Sequence, residues 1–349
     1  MDINYVKQFY EVTKTNNKYI KMNVNHVKYL VCPKCSNSLE LKNKNSNNKN
    51  IESGILKCNG CDSEYPIIRS IPRFVDLNNY ASGFGFQWKK HSRTQYDSTS
   101  GLNISEKRFF ESSKWNRDLK GETILEVGSG SGRFTEHAVS TGAMVISLDY
   151  SVAVEANYAS NGHNKNLLIV QGDVYNLPFR KSYFDKVICI GVLQHTPDVK
   201  KTFYKLCELP KSGGKIVVDV YKKHPFYFQI FKTKYWARHI TKRIKPELLY
   251  KIISSYVKFM WPLTKLINKL PYGHNINFNL LISDYRGILD LDEDKLLEWA
   301  ILDSFDALPP AYDSPQTINT LKKWFIDNNL QNIDIHYGYN GIEGRGIKH

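Results

Sequence analysis

Two pairs of cysteines near the start of the chain have the spacing of metal ligands. Cys32 and Cys35 form one C-x-x-C pair, and Cys58 and Cys61 form a second pair after 22 intervening residues. Each pair can place two thiolates on one side of a tight turn, and four thiolates make a tetrahedral Zn²⁺ site with no open position. Four unrelated thiols or two redox motifs are the alternatives, but no βαβ pattern surrounds either pair. The spacing therefore predicts a structural zinc site.

A glycine-rich loop lies in the centre of the chain, directly after an apolar strand pattern at 123–127. The loop reads Gly-Ser-Gly-Ser-Gly over 128–132 and is followed by a helix pattern. Glycines let the backbone turn sharply and approach a ligand beside a helix N-terminus. Position 133 is Arg, so the G-x-G-x-x-G spacing of dinucleotide enzymes is missing, and no Gly-Lys-Ser/Thr of a phosphate loop follows.

Carboxylates stand at the ends of the next two strand patterns. Asp149 ends the apolar run 144–149, where a carboxylate can accept hydrogen bonds from both ribose hydroxyls of a nucleoside. Asp173 follows the run 167–171, where it can accept from an adenine amino group. Capping of the following helix is the alternative role for each acid, and it explains the two acids together less well than it explains either alone.

The elements that must position these residues alternate between short strands and helices. Such alternation is typical of a doubly wound parallel sheet. Further strand patterns lie at 184–190, 213–220, 333–337 and 342–348, with a helix pattern at 316–329 before the last two. The sequence predicts an α/β fold with a Rossmann-like seven-stranded sheet, a small N-terminal zinc ribbon and a helical insertion after strand five.

Four ordered segments between 121 and 221 resemble class I S-adenosylmethionine-dependent methyltransferases, in particular the type 11 branch that includes the quinone C-methyltransferases. The segments are LEVGSGSGRF, SLDYS, GDVYNLPF and FDKVICIGVLQHTPD. The resemblance implies S-adenosyl-L-methionine as cofactor, with the three loop glycines beside its methionine part, Asp149 on the ribose and Asp173 at the adenine. The implied cofactor-binding residues are Glu126, Gly128, Ser129, Gly130, Gly132, Asp149, Tyr150, Ser151, Asp173, Val174 and Gly191.

Residues 29–76 carry a second resemblance. The second cysteine pair is followed by Tyr65-Pro66-Ile67 and then Ile71-Pro72. This pattern resembles the small zinc-ribbon modules that occur beside many methyltransferases. The predicted organisation is an N-terminal extension 1–28, a ribbon 29–76, a cover of the cofactor site 77–118, a core of 119–221 plus 313–349, and a helical lid 222–312.

Residues that contact the methyl acceptor are harder to predict. His195 follows the fourth strand and is a candidate base. Asp303 and Tyr312 lie in a segment rich in polar and aromatic residues, but they can equally cap helices and pair with basic residues. The Asn/Asp/Ser-Pro-Pro-Tyr/Phe motif of amino-group methylases is absent after strand four, which disfavours methylation of a base amino group.

The net charge of +14 is concentrated in the predicted insertion. Residues 222–270 hold 12 lysines and arginines and one acid, Glu247, whereas 283–313 hold nine acids and two basic residues. A lid with a solvated or internally paired basic face, a surface for an anionic membrane or lipid-linked substrate, and an RNA-binding arm are all compatible with this pattern.

The leading hypothesis is a methyltransferase acting at oxygen on a small-molecule, glycan or lipid-linked acceptor. An RNA methyltransferase that uses the ribbon and the basic arm, and a non-catalytic cofactor-binding scaffold, are the alternatives. The first residues lack an apolar export signal and no run approaches the roughly 20 apolar residues of a membrane span, so a cytoplasmic location is expected.

Overall fold

The computed structural model describes residues 20–42, 49–76, 81–225 and 232–349. Most of the predicted extension 1–28 and most of the polar stretch 42–50, interpreted as a hairpin tip, lie outside the described residues. The described part is organised around one mixed sheet with helices on both faces.

The cysteine-containing segment forms a small β structure. A 3₁₀-helix, Val24–Tyr29, precedes the first cysteine, and a short antiparallel pair joins β1 to β3. A four-stranded antiparallel sheet has the order β2-β4-β5-β6, and Cys58 is the last residue of β4. These strands are β1 Met22–Asn23, β2 Leu39–Lys42, β3 Asn50–Ile51, β4 Gly54–Cys58, β5 Glu64–Ile68 and β6 Ile71–Pro72.

The central sheet has seven strands in the order β12-β13-β11-β10-β7-β8-β9, which confirms the predicted fold class. β13 is antiparallel to both of its neighbours and the remaining pairs are parallel. The strands are β7 Thr123–Val127, β8 Met144–Asp149, β9 Leu167–Gln171, β10 Phe184–Cys189, β11 Pro210–Val220, β12 Leu330–Gly338 and β13 Gly341–Lys348. All five residues of β9 are buried, as expected for a strand covered on both faces.

Helices cover both faces of this sheet. Leu321, Trp324 and Phe325 recur at helical spacing on the last helix and are buried against the strands. The helices before and within the core are α1 Ser82–Lys90, α2 Asp97–Ser100, α3 Ile104–Ser113, α4 Arg133–Ser140, α5 Val154–Asn161, α6 Val199–Cys207 and α11 Ile318–Asp327.

The insertion after β11 is helical and has its own apolar core. Its helices are α7 Thr233–Thr241, α8 Pro246–Ile267, α9 Gly273–Asn279 and α10 Glu293–Asp306. Pro246 stands at the first turn of α8, where its missing N–H costs no hydrogen bond. Leu249, Ile253 and Val257 of α8 pack with residues of α10. Leu248 and Ile252 also belong to the apolar face that three-to-four spacing predicts for this helix, but they are exposed, because α10 covers only part of that wide face.

The ribbon packs directly on the edge of the central sheet. The Phe74 amide donates to the Gln171 carbonyl at 2.8 Å, and Arg73 Nη1 donates to Gln171 Oε1 at 2.7 Å. Arg73 also pairs with Glu155 of α5. One apolar cluster runs from the ribbon into the core without a break. Among the described helices, none is both long enough and apolar enough to cross a bilayer.

Candidate functional site

The loop between β7 and α4 has a backbone that only glycine accommodates. Gly128, Gly130 and Gly132 have φ values of 79°, 56° and 93°, in the left-handed region. A Cβ added at Gly128 would lie 2.2 Å from a methyl group of Val192. The glycines therefore let this loop curve closely against the end of β10, at the carboxyl edge of the sheet where ligands of this fold bind.

Asp149 lies beside that loop at the end of β8. Its Oδ2 accepts from the Gly130 amide at 2.8 Å, and its Oδ1 accepts from the amide and hydroxyl of Ser151, both at 2.7 Å. Burial raises the pKa of Asp149, while these donors oppose the rise. The carboxylate is thereby fixed at the edge of the cavity with its orientation set by three hydrogen bonds.

A buried polar network fixes the glycine loop on the side that faces away from the cavity. Glu126 Oε2 accepts from the hydroxyls of Thr135 and Ser147, and Asn157 Nδ2 donates to Ser129 Oγ at 3.2 Å. Glu126 is buried and does not line the cavity. It therefore orients the loop and the start of α4, one layer away from any ligand. Burial raises the pKa of Glu126 to about 7.

This shift predicts a pH dependence of stability. The folded-state pKa of Glu126 lies above the ordinary value of 4.5. The stabilisation that this carboxyl group contributes is therefore fully present below pH 4.5 and is lost as pH rises through about 7. Glu126→Gln keeps an acceptor for both hydroxyls and removes the titration. Between pH values near 4.5 and 8, we expect wild-type unfolding free energy to fall by about 3 kcal/mol relative to the variant. Urea denaturation would measure the unfolding free energy of both proteins across this range. If the two values changed with pH in parallel, the prediction would be wrong.

Asp173 and Val174 follow β9 on the next side of the cavity. Asp173 Oδ1 accepts from the Tyr175 amide at 2.9 Å, and its Oδ2 accepts from Asn176 Nδ2 at 3.2 Å. Val174 is buried and lines the cavity together with Tyr150. An apolar surface beside a fixed carboxylate suits a flat ring that carries an amino group.

An ion pair that the sequence did not predict lies at the end of the cavity opposite Asp173. Arg108 Nη2 lies 2.5 Å from Asp219 Oδ2, and the Gly191 amide donates to the other oxygen of Asp219. Arg108 lines the cavity, and its buried Nε has no partner among the described residues. The guanidinium thus has capacity for an anionic group such as a carboxylate.

These residues surround one cavity of about 1080 Å³. It lies between the carboxyl ends of β7, β8, β9 and β10, the helix α1 and the insertion. Phe84, Gln87 and Trp88 of α1, from the segment predicted to cover the cofactor site, also line the cavity. Of the residues predicted to bind cofactor, Gly128, Ser129, Gly130, Asp149, Tyr150, Asp173, Val174 and Gly191 line the cavity, whereas Glu126, Gly132 and Ser151 lie behind it.

His195 lines the same cavity, directly after β10. Its Nδ1 lies 3.0 Å from the backbone carbonyl of Tyr312, which is an acceptor, so Nδ1 carries the proton. Nε2 of the neutral ring is then left with a lone pair. Burial lowers the pKa of His195 below its ordinary value of 6.5. Phe84 and Tyr221 flank the ring at centroid distances of 5.2 and 5.3 Å.

Asp303 also lines the cavity, at the centre of a polar cluster from three segments. Its oxygens accept from Gln95 Nε2 at 3.0 Å, Tyr285 OH at 2.7 Å and Trp299 Nε1 at 3.2 Å. Gln95 in turn accepts from Arg133 at 2.6 Å. Burial raises the pKa of Asp303 to about 6. With three donors already engaged, Asp303 is placed to shape the wall of the cavity.

Tyr312 contributes its backbone carbonyl group to the site. Its side chain is 38% exposed and does not line the cavity, while its carbonyl accepts from His195. The neighbouring Asp313 pairs with Arg238 of α7 and tethers this segment to the insertion. Tyr312 therefore orients the His195 ring in this structure.

The four cysteines come together on the ribbon, away from the cavity. Their sulfur atoms all lie within 4.8 Å of one another, with Cys32–Cys61 at 3.5 Å and Cys35–Cys58 at 3.4 Å. The Gly60 amide donates to Cys58 Sγ at 3.3 Å. Four sulfurs at mutual distances close to the edge of a tetrahedron fit a closed thiolate site, and an amide donor suits a thiolate.

The cavity also fits the cofactor that the sequence motifs imply. Asp149 offers oxygens for two ribose hydroxyls, Asp173 with Val174 offers an adenine site, and Arg108 has spare donors for a carboxylate. Gln87 of α1 also lines the cavity, and its buried Oε1 has no partner among the described residues. The chemistry of these groups matches S-adenosyl-L-methionine from one end to the other.

Comparison with known proteins agrees with this geometry. Residues 125–218 match the family described as a methyltransferase domain. The central part of the chain is therefore similar to methyltransferase domains, and it lies within a seven-stranded sheet of the predicted fold class. The matched segment extends from within β7 to within β11 and includes the glycine loop, both strand-end acids and His195.

The curated relatives match only part of the chain. The demethylmenaquinone methyltransferase of Thermobifida fusca is 31% identical over 108 residues, 30% of this chain and 46% of that protein. The sterol 24-C-methyltransferase of Pneumocystis carinii is 31% identical over 100 residues, 27% of this chain and 26% of that protein. The chain thus spans about half or less of the length of these relatives. A putative S-adenosyl-L-methionine-dependent methyltransferase from Methanococcus maripaludis, whose structure is known, has 16% identity and a TM-score of 0.42, covering 78% of this chain and 96% of that one.

Two of the residues that the sequence did not predict, Arg108 and Asp219, lie outside the quoted motifs, whereas Arg133 lies within the first of them. Arg108 lies in α3, and its only sequence signal is a basic position in an otherwise ordinary helix. Asp219 could have been found, because it is a carboxylate inside an apolar strand, where a charged group needs a partner. Arg133 was noted only as the position where a dinucleotide fingerprint would have glycine.

Proposed function

We propose that the whole chain is an S-adenosylmethionine-dependent methyltransferase that acts at oxygen on a small-molecule, glycan or lipid-linked acceptor. The observation that carries this proposal is the single cavity that joins the cofactor-binding loop and acids to a wall formed by the insertion. His195 lies between these two parts. Cofactor and acceptor can therefore meet in one space, where their alignment favours the reaction.

Bound S-adenosyl-L-methionine would supply an electrophilic methyl group on a sulfonium with a neutral leaving group. Asp149 would hold the ribose, Asp173 and Val174 the adenine, and Arg108 the carboxylate. The glycine loop leaves room for the methionine part. The main work of the protein is then to align the acceptor, and a base is needed only where the nucleophile must lose a proton.

His195 is suited to be that base. The Tyr312 carbonyl fixes the tautomer in which Nε2 is unprotonated, and the lowered pKa keeps the ring neutral at physiological pH. A neutral imidazole facing the cavity can accept a proton from an acceptor hydroxyl as the new bond forms. This supports oxygen as the nucleophile.

The insertion supports a small acceptor with an apolar body. Phe278, Leu281 and Leu289 provide apolar surface to the cavity, and Lys234 and Asp306 provide polar groups. The matched relatives are named for demethylmenaquinone and sterol acceptors, which are also small and largely apolar. A folded RNA would need a continuous basic groove, whereas Phe278, Leu281 and Leu289 make this acceptor wall largely apolar.

We expect His195→Gln to lower the rate of methyl transfer about a hundredfold and to leave cofactor affinity within about threefold. Gln can still donate to the Tyr312 carbonyl. The acidic limb of the pH–rate profile should also disappear, because wild-type activity rises as the His195 ring loses its proton. The assay is transfer of labelled methyl to the organic-soluble fraction of a cell extract. His163→Gln, at an exposed position, is the matched control. An unchanged rate and profile would show that His195 is not the base.

We also propose that the ribbon cysteines hold one structural Zn²⁺. All four positions would be occupied by thiolates, so the metal would have no site for substrate. Its contribution would be to fix the two turns of the ribbon and, through the shared apolar cluster, the edge of the sheet at β9.

A further inference from the structure

The insertion carries an exposed apolar stripe along α8. At about 100° per residue, its members fall within about 60° of arc on the helix. Their exposed fractions range from 46% to 82%, with Phe259 the most exposed. The stripe consists of Leu248, Ile252, Phe259, Leu263 and Leu266. Aliphatic and aromatic side chains aligned in this way have a large cost in water, which contact with an apolar phase would remove.

The insertion carries further exposed apolar side chains besides the stripe. Eleven of the eighteen exposed large apolar side chains among the described residues lie between 232 and 280. Besides the stripe, they are Trp236 and Ile240 of α7, Leu270 after α8, and Tyr272, Ile276 and Phe278 at α9. Such concentration in one insertion indicates an interaction surface, since scattered exposed apolar residues would need no explanation.

Basic side chains surround this surface. Seven are exposed, and in the described part of the chain none of them forms an ion pair with an acidic residue. They are Lys242, Arg243, Lys245, Lys251, Lys258, Lys265 and Lys269. The acids of 283–313 instead pair with Arg238, Arg286 and Lys295. The predicted internal neutralisation therefore accounts for little of the basic arm.

The combination of an apolar stripe and unpaired lysines selects one class of partner. We infer that this face of α8 docks on an anionic lipid bilayer, with the apolar stripe at the headgroup–acyl boundary and the lysines on the phosphates. A second copy of the chain is disfavoured, because a symmetric contact would bring the same basic groups face to face. Nucleic acid would use the lysines and leave the leucines, Ile252 and Phe259 in water.

Phe278 of α9, one of the exposed apolar residues of the insertion, also lines the cavity described above. The inference that α8 docks on a bilayer depends only on its exposed side chains and is independent of the chemistry in the cavity.

The test is co-sedimentation of the full-length protein with vesicles of phosphatidylcholine alone or with about 30 mol% phosphatidylglycerol, at low and high salt. We expect partitioning to anionic vesicles to be at least about tenfold stronger and to weaken with salt. Phe259→Ser with Leu266→Ser should reduce it about tenfold, and Lys258→Glu with Lys265→Glu about thirtyfold or more. All four side chains are exposed, so the thermal unfolding midpoint should not change.

Matched controls lie on α11, on another part of the surface. Ile326→Ser removes an apolar side chain of similar exposure, and Lys322→Glu reverses an exposed charge; neither should change partitioning. Equal binding to neutral and anionic vesicles, or none to either, would overturn the inference. A dimer that the Phe259 and Leu266 substitutions abolish would also overturn it. RNA binding that only the lysine variant loses, in a protein that does not bind vesicles, would overturn it as well.

Discussion

Asp149→Ala should weaken S-adenosyl-L-methionine binding by a factor of about 10² to 10³. The carboxylate is fixed by the amides of Gly130 and Ser151 and lies at the edge of the cavity at the end of β8. Its two oxygens are placed to accept from two ribose hydroxyls, and hydrogen bonds to a charged group contribute about 1.5–3 kcal/mol each. The substitution removes both of these and the bond that orders the glycine loop.

Calorimetric titration with S-adenosyl-L-methionine would measure this loss. Asp149→Asn should have an intermediate effect, because the amide keeps the shape and one acceptor but not the charge. Asp118→Ala, at an exposed turn before the core, is the control and should bind like wild type. Wild-type affinity in Asp149→Ala would show that the cofactor does not use this carboxylate.

The second large effect concerns the ribbon. We expect about one zinc per chain by metal analysis of the purified protein, and less than about a tenth of that in Cys58→Ser. Cys58 ends β4 and its sulfur accepts from the Gly60 amide, so a hydroxyl at this position leaves the second turn without its ligand. Structural zinc contributes folding free energy directly, and the loss should lower the thermal midpoint by several degrees or more.

Cys207→Ala separates loss of a ligand from loss of a buried thiol. Cys207 lies in α6 and is fully buried in the same apolar cluster that includes the ribbon, but it is not one of the four clustered sulfurs. This variant should keep about one zinc per chain even if its stability decreases. Purified wild-type protein without zinc, and with unchanged stability after treatment with a chelator, would contradict the proposed metal site.

The first four strands of the core could be predicted closely, because each is a short apolar run that ends at or just before a glycine or an acid. The boundaries differed where the pattern is polar: β11 begins at Pro210 instead of 213, and β12 begins at Leu330 instead of 333. Both extensions are held by pairing with neighbouring strands. A polar residue can join a ladder through its backbone, and its side chain gives no sign of it.

The cofactor side of the cavity could be predicted in outline, whereas the acceptor side could not. The glycine loop, Asp149 and Asp173 lie next to strand ends, so their place follows from the order of the strands. The cluster at Asp303 joins it to Gln95 and Arg133, and these residues come from three distant segments. Their contacts depend on how the insertion packs on α1, which no local pattern determines.

Tyr312 illustrates the same limit at a single residue. Its aromatic side chain made it a candidate for contact with the acceptor, but the structure brings its backbone carbonyl to His195. Sequence identifies side chains that could do chemistry, whereas a backbone acceptor is equally available at every position. The same limit applies to the exposed stripe of α8. Helical spacing predicts an apolar face, but it does not predict how much of that face a neighbouring helix covers.

The most direct test of the central claim is transfer of labelled methyl from S-adenosyl-L-methionine to a fractionated cell extract by the full-length protein, with the product identified by mass spectrometry. We predict label in the small-molecule or lipid-extractable fraction, on an oxygen atom, and none with Asp149→Ala. Cofactor binding without transfer to any fraction would contradict the account and indicate a binding scaffold. Label confined to nuclease-sensitive material would contradict it in favour of an RNA acceptor.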